Sequence, residues 1–195
     1  MIDFSRLVTR FDPAKGTING YPATARHLSD LQGCFADEAA YREALAAGDP
    51  EVYWTATVAY DQGEGDLVYA IGAILPGKIG REYLLTRGHY HDWRPAAEIY
   101  FGLSGEGMML LENEDGDESQ ELALRPNSAV YVPGFTAHRT VNTGDVPLVY
   151  IGVYPAQAGH DYGSLASRNF RMVVVEVGGK PTIMERSRFI KSLAP

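Results

Sequence analysis

Two histidines and a glutamate supply the first chemistry in this chain. In the stretch "TRGHYHDWRPAAEIYFGLSGEG", running from Thr86 to Gly107, His89 and His91 stand at i and i+2, and Glu98 follows seven positions after His91. Side chains at i and i+2 of an extended strand point to one face, about 6–7 Å apart. Two imidazoles at that spacing can grip one metal ion from the same side. Arg94 and Pro95 lie in the intervening segment, which is long enough to turn the chain and return Glu98 on a neighbouring strand. A fourth ligand has to come from elsewhere. His138, in "VPGFTAHRTVN" after a proline–glycine turn, is the best candidate among the five histidines. A single strand histidine is more often a satisfied core or surface group than a ligand. The combination of HxH, a spaced glutamate and a distant histidine in a strand-rich chain is a far stronger signal.

Three imidazoles and one carboxylate leave two positions open on a six-coordinate ion. That set suits Fe(II), Mn(II) or Ni(II), and Zn(II) could also occupy it. The absence of thiolates argues against a structural zinc. Open positions admit water or substrate, so the expected role is catalytic or sensing.

The elements that must position these groups divide the chain in two. Residues 1–50 form a mixed N-terminal segment, in which "ADEAAYREALAAGDP" predicts a short helix. Tyr41 and Leu45 stack at i, i+4, Gly48 can cap the C-terminus, and Pro50 stops it. Residues 51–195 read as short strands: "EVYWTATVAY", "LVYAIGAIL", "MMLLE", "ELAL", "AVYVP", "PLVYIGVY" and "RMVVVEV", separated by turn chemistry in "PGK", "SGEG", "EDGDE", "PNS" and "TGD". No helical insert is expected among them. The spacing predicts an all-β antiparallel barrel or double-sheet roll, with the N-terminal segment packing on it in a single domain. The acidic run "ENEDGDE" predicts a solvated hairpin turn, since it lacks the spacing of a calcium loop.

Bulk properties narrow the partners. With 195 residues, 45% hydrophobic and 22% charged, the chain is ordinary for a globular protein with one sizeable core. A net charge of -8 argues against general nucleic-acid binding, and it requires any anion site to be built locally. One cysteine, Cys34, fits a reducing compartment. The start "MIDFSRLVTRFDP" has no signal-peptide core, and no window approaches the roughly 18 apolar residues of a membrane span. A cytoplasmic location is the expectation. The aromatic-rich "EVYWTATVAY" is a candidate edge strand for pairing into a C2 homodimer.

"GHYHDWRPAAEIYFGLSGEG" resembles the first motif of the cupin superfamily, G(X)5HXH(X)3,4E(X)6G. It varies the pattern, because Gly88 directly precedes HxH and six residues separate His91 from Glu98. "PGFTAHRTVNTGD" is similar to the second motif, with Pro133, Gly134, His138 and Asn142 in place. Longer stretches resemble one subfamily, the cupin-type phosphoglucose isomerases. These are "HLSDLQGCFADEAAYREAL", "EGDLVYAIGAILPGKIGREYLLTRGHYH", "AEIYFGLSGEGMMLLE" and "VYVPGFTAHRTVNTGDVPLVYIGVYPAQAGHDYG", together spanning about residues 27–164. "YPAQAGHDYG" is the most specific of them.

The resemblance implies a cupin double-stranded β-helix, or jelly-roll barrel, with His89, His91, Glu98 and His138 as metal ligands and Fe(II) as the first choice. It implies Tyr53, Thr86 and Gly88 near a substrate phosphate, and Tyr100, Tyr154, His160 and Tyr162 along the sugar. Glu98, His160 and Tyr154 are the candidate catalytic groups. The implied reaction interconverts glucose 6-phosphate and fructose 6-phosphate. Neighbouring sugar oxygens would bind the two open metal positions, and Glu98 could move a proton through a cis-enediol; a hydride shift without a base is the alternative. His160, on a loop over the mouth, could assist ring opening. Gly72 is one departure: members often carry a threonine there that helps hold the phosphate, so that contact comes into question. Arg87 and Lys78 read as solvated surface residues. A fold alone does not fix function, and two rivals stand beside this reading. One is an Fe(II)-dependent cupin oxygenase, whose pocket mouth would be apolar. The other is a non-catalytic sugar-binding cupin, although the N-terminal segment has no basic helix-turn-helix pattern.

Overall fold

The computed structural model describes residues 7–60 and 63–194; the first six residues of the N-terminal segment lie outside that range. In chain order the elements are β1 (Phe11–Asp12), β2 (Thr17–Ile18), β3 (Thr24–His27), α1 (Glu38–Ala47), β4 (Glu51–Ala59), β5 (Leu67–Ile74), β6 (Lys78–Ile79), β7 (Glu82–Tyr83), β8 (Glu98–Ser104), β9 (Gly107–Asn113) and β10 (Ser119–Leu124). They continue with β11 (Ala129–Val132), β12 (Thr136–Asn142), β13 (Leu148–Pro155), α2 (Gly163–Ala166), β14 (Met172–Val177), β15 (Lys180–Glu185) and α3 (Arg186–Ser192).

All ladders between strands are antiparallel, so the all-β expectation holds. A six-stranded sheet runs β11-β8-β13-β5-β4-β3, and a three-stranded sheet runs β10-β9-β12. Residues from both enclose one core: Ile74, Tyr100, Val130 and Leu148 from the larger sheet meet Met109, Leu111 and Val141 from the smaller. Each fully buried aliphatic chain of this kind stabilises the fold by about 1.5–3 kcal/mol. The two sheets are not joined into one closed ring of hydrogen bonds, so the architecture is the double-sheet roll rather than a sealed barrel. A second cluster covers the outer face of the larger sheet, where Ile18 of β2 packs with Ala56, Val58 and Ile71, and the Trp54 indole donates to the Gly16 carbonyl at 2.8 Å.

The helix prediction holds over Glu38–Ala47. Asp37 caps it by accepting from the Ala40 N–H at 2.9 Å, and Tyr41 is buried. Gly48 ends it in extended backbone, its N–H reaching the Leu45 carbonyl at 3.3 Å, rather than in a left-handed cap. The acidic run forms the β9–β10 hairpin turn, where the Asn113 side chain accepts from the Gly116 and Glu118 N–H groups.

Two expectations fail. The "EVYWTATVAY" strand is not an edge, because β3 pairs with β4 from Thr24↔Thr55 to His27↔Glu51 and so covers its free side. The chain after residue 50 also contains helices. α2 is a single turn before β14, and α3 packs Phe189 onto Val173 and Val175 of the C-terminal hairpin.

Candidate metal centre

His89 and His91 sit on a stretch that is extended but bridged only at single points, not on a full ladder strand. Gly88 accounts for this. Its φ of +74° lies in the left-handed region, and a Cβ there would come 2.6 Å from the Phe170 ring. The kink breaks the ladder and aims the next residues inward. Beyond it, His89 and His138 exchange backbone hydrogen bonds of 3.2 and 3.0 Å, which sets them directly opposite on facing chains. Glu98 enters from the first position of β8, on the far sheet. A Cβ at Gly152 of β13 would come 2.5 Å from Glu98 Oε1, so a glycine opposite the carboxylate makes room for it.

One ligand atom from each of His89, His91, Glu98 and His138 lies within 4.8 Å of all the others. The hydrogen-bond pattern tests whether a cation fits. His91 Nδ1 meets the Ala96 carbonyl at 3.1 Å. A carbonyl only accepts, so Nδ1 carries the proton and Nε2 presents a bare lone pair. That lone pair faces Glu98 Oε2 at 3.2 Å. His138 Nδ1 faces the Thr136 carbonyl at 3.5 Å, so its Nε2, 3.1 Å from the same oxygen, is likewise bare, and His89 Nε2 is buried with no partner among the described residues. Lone pairs converging on a carboxylate in a buried site need a cation between them, and the donor set fits a divalent ion. Burial pushes the Glu98 carboxyl up; with Nε2 protonated, His138 and His91 would outweigh it and hold the group at about 2, and a cation seated between bare lone pairs and the carboxylate supplies the same opposing charge. Burial, reinforced by the neighbouring imidazoles, lowers His89 well below its ordinary value, leaving it neutral as a ligand must be.

A cavity of about 290 Å³ opens beside these groups. Every substrate residue expected from the sequence lines it: Tyr53, Thr86, Gly88, Tyr100, Tyr154, His160 and Tyr162. His160 stands 4.4 Å from His89 and 5.7 Å from Tyr154, ring centre to ring centre. The loop that carries it is pinned by reciprocal Tyr90–Asp161 backbone bonds and by the Arg94–Asp161 ion pair. Burial lowers His160 and pushes Tyr53 and Tyr154 up to about 12, so all three are neutral near pH 7. Sequence reasoning missed six wall residues: Arg26, Thr55, Thr57, Ala70, Tyr150 and Gly152. Arg87 also lines the cavity, its guanidinium 4.8 Å over the Tyr162 ring, and is not merely a solvated residue. Lys78 pairs with Glu176 away from the cavity.

The family model and the sequence relatives agree with one another. The family model described as "Glucose-6-phosphate isomerase (GPI)" matches residues 25–188. A glucose-6-phosphate isomerase of Pyrococcus horikoshii is 42% identical over 183 residues, covering 94% of this chain and 96% of its own length. One from Thermococcus kodakarensis is 43% identical over 178 residues, covering 91% and 93%. A bacterial relative, the "Putative glucose-6-phosphate isomerase 2" of Rhizobium meliloti, is 38% identical, with 92% and 90% covered. Among solved structures, an oxalate decarboxylase from Bacillus subtilis overlaps at a TM-score of 0.45 and 19% identity, over 56% of this chain and 26% of that one. An overlap that partial adds nothing to the assignment. The near end-to-end match to the archaeal and bacterial sequences does: this chain belongs to the glucose-6-phosphate isomerase (GPI) family.

Proposed function

We propose that the protein interconverts glucose 6-phosphate and fructose 6-phosphate, with a divalent cation held by His89, His91, Glu98 and His138. The observation that carries the reading is the set of bare imidazole lone pairs facing the Glu98 carboxylate. Fe(II) is the first choice for the ion, with Mn(II), Ni(II) and Zn(II) able to use the same donors. When bound, such an ion polarises a carbonyl and stabilises oxyanion charge on neighbouring sugar oxygens. The chain's own groups do the rest. Glu98, ionised at neutral pH, is the only carboxylate on the cavity wall among the described residues and is the group able to hold or move the proton at C1 and C2. Neutral His160 and the Tyr154 hydroxyl reach the sugar hydroxyls and assist ring opening. Tyr100 and Tyr162 pack along the sugar, while Tyr53, Thr86 and the Gly88 backbone receive the phosphate. Arg26 and Arg87 give the wall its positive charge in a chain of net charge -8.

The hydroxyl-rich wall favours a sugar over the apolar substrate of an oxygenase. No helix among the described residues is long and apolar enough to cross a membrane. The reading extends to a cytoplasmic homodimer working in glycolysis or gluconeogenesis without nucleic-acid or membrane partners, in which residues 1–50 belong to the same single domain as the roll. The test is turnover of fructose 6-phosphate before and after chelation. Loss on EDTA treatment and recovery with Fe(II) or Mn(II) support it. Oxygen uptake in place of isomerisation, or binding without turnover, would reject it.

A further inference from the structure

Tyr150, Gly152 and Tyr154 occupy alternate positions of β13 and share its inner face. Gly152 faces Glu98, so the metal group lies at the middle of this row. Tyr154 flanks it on the side of His91 and His160, at ring distances of 6.2 and 5.7 Å. Tyr150 flanks it on the other side, with its ring 5.2 Å from Tyr100 and its side chain beside Thr140. The Thr140 N–H in turn donates to Thr86 Oγ1 at 3.0 Å.

Across the ladder, Tyr150 pairs with Gly72 of β5. A Cβ on residue 72 would fall 2.5 Å from Tyr150 Cζ and 2.6 Å from its hydroxyl oxygen. Gly72 is not in the left-handed region, so no turn requires a glycine here; the phenol occupies the space of the missing side chain. The two residues form one device, in which an absent Cβ admits a hydroxyl to the cavity wall. That hydroxyl is buried, and burial pushes its pKa up, so it remains a donor at neutral pH. The cavity onto which it opens carries cationic side chains as well as Glu98. Glu98, the one carboxylate on the wall among the described residues, sits at the middle of the row, while Arg26 and Arg87 line the same cavity. Arg26 is paired in the sheet with Tyr53, and Tyr53 lies close enough to Tyr150 to raise its pKa in addition to burial.

We propose that Tyr150 is a substrate-binding residue whose hydroxyl donates to a phosphate oxygen of the sugar phosphate, and that Gly72 exists to admit it. This rests on the isomerase reading, and the experiment separates the two. Tyr150→Phe keeps the ring and removes the donor. Because a hydrogen bond to a charged acceptor is among the stronger ones, KM for fructose 6-phosphate should rise about 10-fold while kcat stays within about 3-fold. The calorimetric Kd of the metal-loaded protein for inorganic phosphate should rise in parallel, with metal content unchanged. Gly72→Ala, which must push the phenol aside, should raise KM in the same direction. KM and the phosphate Kd both within about 2-fold of the parent would overturn the proposal, as would a fall in kcat with KM unmoved. If the parent protein turned over no fructose 6-phosphate, the isomerase reading would fall, and the phosphate titrations of parent and variant would still decide the part assigned to Tyr150.

Discussion

Replacing Gly152 with alanine adds a single methyl to the strand behind Glu98, and its consequence can be worked from the geometry. The new Cβ would stand 2.5 Å from Glu98 Oε1, against at least 3.4 Å for an ordinary contact, so the carboxylate must retreat by about 0.9 Å. Backbone β13 cannot give way, because it is hydrogen-bonded to β5 on one side and β8 on the other. Glu98 therefore turns away from His91 and His138. Disturbing the support of a metal ligand typically costs 10–100-fold in affinity, or about 1.4–2.7 kcal/mol. Titration of the metal-free protein with Mn(II), followed by calorimetry, reads this directly. The thermal midpoint of the metal-free variant should stay close to that of the parent, since alanine is no worse than glycine inside a strand. A Mn(II) affinity within about 2-fold of the parent would refute the claim that Glu98 is held at the ion by the space opposite it.

Other perturbations separate structure from chemistry. Glu82 is buried in β7 and accepts from the Ala36 and Asp37 N–H groups at 2.7 and 2.9 Å. Glu82→Ala strands both donors and should lower stability by about 2–4 kcal/mol in urea unfolding, with the metal affinity of the folded protein unchanged. The Arg94 and Ser164 side chains hold the Asp161 carboxyl below the usual carboxylate range. Its folded pKa is depressed, so the stabilisation is present above the unfolded value of about 3.9 and disappears as pH falls through the folded value. The deficit of Asp161→Asn in thermal midpoint should thus be full at pH 7 and shrink below about pH 4. A deficit that stays constant down to pH 2 would contradict the assignment.

Much of the site could be read directly. HxH with a spaced glutamate is a local pattern, and a histidine after a proline–glycine turn stands out in a chain with so few. Strands rich in β-branched and aromatic residues between turn signals made the all-β class legible, and the helix formers before Gly48 and Pro50 marked α1. The misses have particular causes. β3 is only "TARH", exposed at three of its four positions and without alternation, so nothing local shows that it covers β4. β15 holds Pro181 among polar residues, and α3 buries Phe189 alone, too short a helix for periodicity to appear. The extended His89–His91 segment passes for a strand because the kink at Gly88 depends on its contact with Phe170, far along the chain. Gly152 was a readable clue left unused, and Gly72 was read only for its missing threonine and not as a glycine inside a strand. A glycine inside a strand pattern marks a close approach, and "AIGAI" and "YIGVY" each held one. What each glycine makes room for, Tyr150 in one case and Glu98 in the other, depends on ladder register, which no local pattern reports.

The central claim is that three imidazoles and one carboxylate converge on a divalent cation. Titrating the metal-free protein with Mn(II), with the bound fraction read by electron paramagnetic resonance, tests it most directly. The account predicts one tight site per chain in the parent protein, lost in His138→Ala and in Glu98→Ala while both variants keep the β-sheet circular dichroism of the parent. A parent protein that takes up no Mn(II), or variants that bind it as tightly as the parent, would contradict it.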